Sequence, residues 1–145
     1  MTKRFGLILV IFIIAHPGSA WACPFEKGTY QLIEDSAFLA SFLPPSSESG
    51  VQVARVQITH RGDSMLKGYV TASQGFSRLY LVPDNASLKE ANIPILPLDK
   101  DLGEADEDAY YVVMADLPSQ MYYANRDLWQ KHPLVGAVWR RIACK

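Results

Sequence analysis

Residues 51–82 read VQVARVQITHRGDSMLKGYVTASQGFSRLYLV and carry the clearest structural pattern in the chain. Apolar and polar residues alternate along this stretch, with a change of phase near Ala54 and Arg55 that predicts a β-bulge. Two clusters of turn residues divide it into three runs. The stretch therefore predicts a three-stranded antiparallel meander with turns near Gly62 and Gly75. The side chains expected to point outward are those of Gln52, Gln57 and Arg78.

Further strands are predicted on both sides of this meander. Residues 27–33 and 134–144 are rich in β-forming residues and predict the first and last strands. Residues 109–117 form another β-prone run, and 110–114 within it predict a strand covered on both faces. Residues 93–98 contain two prolines, so we expect an edge strand or a packed extended segment there. The chain as a whole is expected to have five or six strands.

Two short helices are predicted between these strands. Asp35 is placed to cap a helix that ends before Pro44. Ser119 is placed to cap a second helix that runs to Lys131 and ends before Pro133. The apolar residues expected on one face of the first helix are Phe38, Leu39, Phe42 and Leu43.

These elements predict a β-dominated α+β fold. With 145 residues the chain has room for one domain, which we place at residues 23–145. Antiparallel strands joined by short turns are typical of a small β-barrel or sandwich. We expect one or two short helices to complete the fold, and the first and last strands to adjoin.

An export signal is predicted at the N-terminus. Lys3 and Arg4 precede an apolar run over 5–15, and Ala20-Trp21-Ala22 has the small residues of a cleavage site. The apolar run is shorter than the ~20 residues that a membrane-spanning helix needs. We therefore expect residues 1–22 to be cleaved, and the mature protein to be periplasmic or secreted without membrane insertion. A retained signal anchor is the alternative.

The chain has two cysteines, which stand at the two ends of the predicted mature protein. An even number of cysteines in an exported chain predicts a disulfide between Cys23 and Cys144. Such a bond requires the two termini to lie together, with Cα atoms about 5–6 Å apart. The alternative is a lipid anchor on Cys23, although Trp21 is bulkier than the small residue that a lipobox has two positions before its cysteine.

Charge is balanced overall but segregated along the chain. The full sequence has a net charge of −1, and removal of Lys3 and Arg4 with the signal peptide leaves −3. This balance argues against a nucleic-acid partner. Residues 99–108 are acidic, which is compatible with a bound cation, a solvated loop, or pairing with basic residues near the C-terminus such as Arg140 and Arg141.

Groups suited to catalysis or cofactor binding are sparse. The predicted mature chain keeps two histidines, His60 and His132, without the spacing of a zinc site, and it has no serine-nucleophile motif. His132 precedes Pro133 and is expected to end a helix. We therefore expect no cofactor and no metal. A small hydrolase that uses carboxylates such as Asp116 or Asp127 is the alternative function.

Aromatic residues are the one surplus in this sequence. The rings of tyrosine and tryptophan are amphipathic and are enriched at binding surfaces. The sequence therefore favours a non-enzymatic exported binding or interaction module, such as an inhibitor or an envelope accessory protein, with an unknown protein or envelope ligand as its partner. The residues predicted to form the binding surface are Tyr111, Tyr122, Tyr123, Trp129, Arg140 and Arg141.

Overall fold

The strands of this protein close into a barrel. A computed structural model describes residues 22–45, 52–73, 78–88, 91–105 and 107–145. Within these ranges, eight antiparallel strands follow one another around the barrel in chain order, and the last strand pairs with the first. The strands are β1 (Gly28–Leu32), β2 (Phe38–Leu43), β3 (Gln52–His60), β4 (Asp63–Ala72), β5 (Leu79–Pro83), β6 (Ile93–Leu98), β7 (Tyr111–Val113) and β8 (Val138–Cys144).

Two short helices, α1 (Leu117–Ala124) and α2 (Arg126–Lys131), lie between β7 and β8 in the chain, and a 3-10 helix, Phe25–Lys27, precedes β1. The β-dominated fold with two short helices is confirmed, and of the two predicted architectures the chain adopts the barrel. The barrel has eight strands where the sequence predicts five or six. None of the helices in the described ranges is long and apolar enough to cross a membrane. Residues 1–21 of the predicted signal peptide lie outside these ranges.

The predicted meander is confirmed as β3, β4 and β5. The first turn is tight, because Arg61 and Gly62 both have positive φ angles, of 53° and 85°. The predicted bulge is also found, since the register between β3 and β4 shifts between Gln52 and Ala54. The predicted turn at Gly75 lies outside the described residues. Gln57 is half-buried and Arg78 is exposed, whereas the side-chain oxygen of Gln52 is shielded from solvent.

The helix predicted after Asp35 is wrong, because this segment forms β2. Phe38, Ala40 and Phe42 alternate with half-buried residues and are at most 1% exposed. Phe38 and Phe42 are four positions apart, a spacing that lies on one face of a helix and equally on one face of a strand. This segment forms a strand because it is hydrogen-bonded to β1 on one side and to β3 on the other. Asp35 accepts a hydrogen bond from the backbone N–H of Ala37 at 3.0 Å, which stabilises a turn and not a helix start.

β6 contains Pro94 and Pro97 and yet lies within the closed barrel. Its first half, 93–95, pairs with β5, and its second half, 96–98, pairs with β7. Each half is thus paired on one side, so a proline without an N–H is tolerated there as it is on an edge strand. β6 is therefore a strand of the closed barrel and not an edge strand. The staggered pairing accommodates its two prolines.

The single helix predicted to start at Ser119 is divided in two. α1 begins at Leu117, and Asp116 is its N-cap residue. Leu117, predicted as the last residue of the strand over 109–117, is therefore helical. Asn125 ends α1, and its side-chain oxygen accepts a hydrogen bond from the backbone N–H of Leu128 at 3.0 Å. An asparagine side chain that bonds the backbone in this way caps a new helix. α2 ends before Pro133, as predicted.

The barrel has two different ends because consecutive strands alternate in direction. The disulfide end carries the start of β1 and the end of β8. The helical end carries His60 at the end of β3 and the end of β7, after which α1 and α2 follow. The interior is filled by buried side chains, including those of Tyr30, Phe42 and Trp139. The side chains between the helices and the barrel, each 0% exposed, are those of Met114, Leu117, Met121 and Leu134.

The predicted disulfide between Cys23 and Cys144 is confirmed. Their Cα atoms are 6.0 Å apart, and 121 positions separate them in the sequence. β1 and β8 are hydrogen-bonded neighbours, with Leu32 opposite Trp139 and Gly28 opposite Cys144. The bond therefore fastens the seam at which the barrel closes. Because both sulfur atoms are in this bond, a thioether-linked lipid on Cys23 is incompatible with the structure.

The variant Cys144→Ser is expected to unfold more easily than the parent protein. Removal of a disulfide that closes nearly the whole chain should lower the free energy of unfolding by about 2–5 kcal/mol, since the unfolded chain regains loop entropy. That is a large share of the ~5–15 kcal/mol typical of a domain. Urea unfolding measures the difference. Two reactive thiols in the denatured, unreduced parent protein would contradict the bond.

Candidate functional site

The six residues predicted to form a binding surface fall into two groups. Tyr122, Tyr123 and Trp129 lie on α1 and α2. The other three lie on β7 and β8, where Tyr111 is the cross-strand neighbour of Arg140. The predicted surface is therefore divided between the helices and the barrel wall, and each group has its own geometry.

The helices carry a compact group of aromatic side chains, of which the two tyrosines are exposed and Trp129 is half-buried. The ring centroid of Tyr122 lies 5.0 Å from that of Tyr123 and 5.1 Å from that of Trp129, and both pairs are edge-to-face. The guanidinium carbon of Arg126 lies 5.6 Å from the Tyr122 ring centroid, in cation–π range. Tyr123 is 83% exposed. We call Tyr122, Tyr123, Arg126 and Trp129 the aromatic cluster.

The cluster is held to the rest of the molecule by a hydrogen bond of Trp129 and by a buried neighbour in α1. Trp129 donates a hydrogen bond from its indole Nε1 to the backbone oxygen of Leu134 at 3.3 Å. Met121, one residue before Tyr122 in α1, is fully buried. Arg126 is not among the residues predicted for the surface. It lies across the helix break at Asn125 from Tyr122, so their contact depends on how the two helices meet.

Arg141 already has several partners within the protein. Its Nη1 donates to the Asp108 carboxylate at 2.5 Å and to the backbone oxygen of Ala109 at 2.9 Å. Its guanidinium carbon lies 5.5 Å from the ring centroid of Tyr110. The backbone N–H of Cys23 donates to the same Asp108 oxygen at 3.1 Å. This ion pair joins the acidic segment to the C-terminal strand, one of the pairings that the charge distribution suggests.

The pKa of the Asp108 carboxyl is lowered from its usual value of 3.8. The largest cause is the hydrogen bond from Arg141, and the hydrogen bond from the Cys23 backbone adds to it. The carboxyl therefore stays ionised to a lower pH than an isolated aspartate.

The acidic segment forms a turn held by its own side chains. Asp99 Oδ1 accepts hydrogen bonds from the backbone N–H groups of Asp101 at 2.8 Å and Gly103 at 2.9 Å. Within the ranges that the structure describes, no three histidine, cysteine, aspartate or glutamate side chains are grouped to hold a metal ion. Asp106 lies outside those ranges.

The two histidines form a buried pair that the sequence does not predict. His60 and His132 are 5% and 3% exposed, and their Nδ1 atoms lie 3.1 Å apart. The Phe38 ring stacks on His60 with centroids 4.0 Å apart. His132 does follow the last residue of α2, as predicted. Their meeting across 72 positions of sequence has no local signal.

The pKa of His132 is lowered from its usual value of 6.5. Burial is the largest cause, and the nearby His60 and Lys131 lower it further, against a smaller effect of Asp63. The ring of His132 is therefore mainly neutral at pH 7, so it has a free nitrogen that can accept a hydrogen bond.

Two cavities among the described residues open at different places. One, of about 540 Å³ at the disulfide end, has an apolar lining that includes Phe25, Leu79 and Ile95, with charged groups that include Arg78. The other, of about 560 Å³, lies between α1 and residues 86–88 and 91–92. Neither is lined by the carboxylates predicted for a hydrolase.

Those two carboxylates, Asp116 and Asp127, occupy positions that favour helix formation. Asp116 is the N-cap residue of α1, and Asp127 lies in the first turn of α2. Negative charge at a helix N-terminus stabilises the helix dipole. Both side chains are exposed.

The chain was compared with protein-family models, with curated proteins and with solved structures, and none of them matches.

Replacing Arg141 tests the electrostatics of the disulfide end. Arg141→Gln should raise the pKa of Asp108 toward 3.8, because the guanidinium that holds the carboxyl ionised is gone. The ion pair contributes to stability at pH values above 3.8, and this contribution is lost as the pH falls through the lowered pKa. NMR titration of the Asp108 carboxyl carbon measures the change. Arg140→Gln, on the neighbouring residue of β8, is the matched control, and an unchanged titration in Arg141→Gln would refute the assignment.

Proposed function

We propose that this protein is a non-enzymatic exported binding module that docks a partner protein on its aromatic cluster. The observation that carries the proposal is the exposure of Tyr123 beside the edge-to-face pair of Tyr122 and Trp129. Tyrosine, tryptophan and arginine are the residues that most often dominate binding energy at protein interfaces. The cluster contains all three residue types on two adjacent helices.

The cluster is suited to binding because its side chains lose little freedom when a partner arrives. The Trp129 indole is held by a hydrogen bond and the Tyr122 ring lies between Tyr123 and Trp129. Side chains that are ordered before binding cost less conformational entropy on association. Rigid aromatic anchors of this kind contribute large contact areas at low entropic cost.

The chemistry of the partner follows from the charges around the cluster. α2 carries Arg126 and Lys131 against the single acidic residue Asp127, so its surface is net positive. The partner is accordingly a protein with an apolar contact flanked by acidic side chains.

Export of the protein is supported by two independent features. Residues 1–22 have the composition of a cleaved signal peptide. The Cys23–Cys144 disulfide is the kind of bond that persists in oxidising compartments and is rare in the cytosol. The proposed location is therefore the periplasm or the extracellular medium, and the proposed partner is a protein of the same compartment.

The alternative of a carboxylate-dependent hydrolase has less support. A glycoside hydrolase needs two carboxyl groups that face each other across a substrate site. Asp116 and Asp127 are both exposed, at the starts of two different helices.

The cluster is tested by placing a photo-crosslinking amino acid at position 123 and, as a control, at position 102. Leu102 is 65% exposed and lies in the acidic segment at the opposite end of the barrel. Crosslinking in the exported fraction should join one protein to position 123 and not to position 102. Binding of that purified protein should weaken about 30-fold or more in Tyr123→Ala, the effect of a ~2 kcal/mol hot spot.

The parent protein and Tyr123→Ala should unfold at the same urea concentration, because Tyr123 is largely exposed. Equal binding by Tyr123→Ala and the parent would refute the proposed surface. So would crosslinking of the same partner with equal yield from both positions.

A further inference from the structure

The buried histidine pair joins the barrel to the helices. His60 ends β3 in the barrel wall, and His132 follows the last residue of α2. The pair lies beside side chains that close the helical end, including Leu134, which is 0% exposed. It is therefore a buried polar contact beside the apolar side chains that lie between the two parts of the molecule.

This contact is compatible with one proton between the two Nδ1 atoms and not with two. At 3.1 Å, one Nδ1 donates its N–H and the other must accept with a free lone pair. When both rings are imidazolium ions, two N–H donors face each other and two positive charges lie a few ångströms apart. Such an arrangement is unfavourable because like charges repel strongly where water is excluded.

The charged groups around the pair only partly offset a second proton. Asp35, in the β1–β2 turn, has Oδ2 at 3.9 Å from His60 Nε2, beyond hydrogen-bond distance. His60 Nε2 is itself buried and lacks a hydrogen-bond partner among the described residues. Asp63, at the start of β4, favours a positive charge on His132, whereas Lys131 at the end of α2 opposes it.

The position of His132 couples the pair to the aromatic cluster. The backbone N–H of His132 donates to the Leu128 oxygen at 2.9 Å, which ends α2. Two residues further on, Leu134 accepts the hydrogen bond from the Trp129 indole. A displacement of His132 therefore moves the support of Trp129 and, through the edge-to-face contact, disturbs Tyr122.

We propose that His60 and His132 form a pH-sensitive latch that holds α2 against the barrel at neutral pH and releases it in mildly acidic solution. Release rearranges Trp129 and Tyr122 and thereby weakens the binding surface. This regulation rests on the proposed function, since it acts on the aromatic cluster. Release of α2 itself does not depend on that function and is measured separately.

The direction of the pH effect follows from the burial of His132. Its pKa is lowered in the closed form and returns toward 6.5 when the ring enters water. The open form therefore binds the proton more tightly, so the latch is stable at pH values above 6.5 and opens as the pH falls below that value. The opening constant rises up to about tenfold for each unit between the two pKa values.

Acrylamide quenching of tryptophan fluorescence in the exported protein measures release. Trp129 is half-buried beside the latch, whereas Trp139 is 0% exposed in the barrel and serves as an internal reference. Between pH 7.5 and 5, in the presence of EDTA to exclude adventitious metal, the Trp129 quenching constant should rise severalfold and reversibly. Trp129→Phe should lack this rise. A Trp129 quenching constant that stays unchanged over this range overturns the proposal.

Two asparagine variants each replace one ring of the pair and keep a hydrogen-bonding group near the Nδ1 position. In His132→Asn the rise in quenching below pH 6.5 should be lost, because the buried ring that takes up the proton is gone. In His60→Asn the rise should be smaller or have a different midpoint, because burial still lowers the pKa of His132 but the second charge is removed. A rise of the same size and midpoint in either variant overturns the latch.

Two variants of neighbouring charges test the latch without altering the pair. Asp35→Asn removes a carboxylate that offsets positive charge, so the midpoint of release should move to higher pH. Lys131→Gln removes a repulsive charge, so the midpoint should move to lower pH. Shifts in opposite directions support the latch. Equal midpoints in the two variants, or shifts in the reverse directions, overturn it.

The release experiment and the binding experiment have separate readouts. If Trp129 becomes accessible in acid while Tyr123→Ala binds the crosslinked partner as well as the parent does, the latch is supported and the proposed function is refuted. If Tyr123→Ala loses binding and the quenching is independent of pH, the function is supported and the latch is overturned.

Discussion

The pairing of β1 with β8 is the constraint on which the rest of this structure depends. Without it, eight strands would form an open sheet with two unpaired edges. With it, the interior is enclosed on all sides and side chains such as Tyr30 and Trp139 lose contact with water. The Cys23–Cys144 bond fastens this seam at one end of the barrel. Closure of the barrel thus encloses one core between strands that local turns and longer connections join in chain order.

Closure also gives the two ends of the barrel different roles. At the disulfide end, the Arg141–Asp108 ion pair ties the acidic segment to β8, so charge is used to hold the chain in place. At the helical end, apolar side chains such as Met121 form the contact, and the histidine pair is the polar group set among them. Buried polar contacts depend on protonation far more than apolar ones do. The aromatic cluster lies at this second, pH-sensitive end.

The parts of the fold that local pattern predicts are those whose structure depends on near neighbours. The meander follows from alternation and turn residues, and Gly62 adopts the positive φ that its turn needs. β2 escapes prediction because Phe38 and Phe42 fit two periodicities, and hydrogen bonds to strands on both sides decide between them. The contact of Arg126 with Tyr122 does not follow from spacing along one helix, because Asn125 separates the two helices that carry them.

The sequence by itself determined the β-rich class and the pairing of the two cysteines, and it contains the signals that predict export. Composition, period-two alternation and cysteine parity are properties of the chain alone. Only the tertiary structure decided which histidine meets which, and that Asn125 divides one helix into two. His60 and His132 are brought together by closure of the barrel and by the return of α2 across its end, not by any local preference. Contacts between residues that are distant in sequence depend on the packing of whole elements, which residue spacing does not encode.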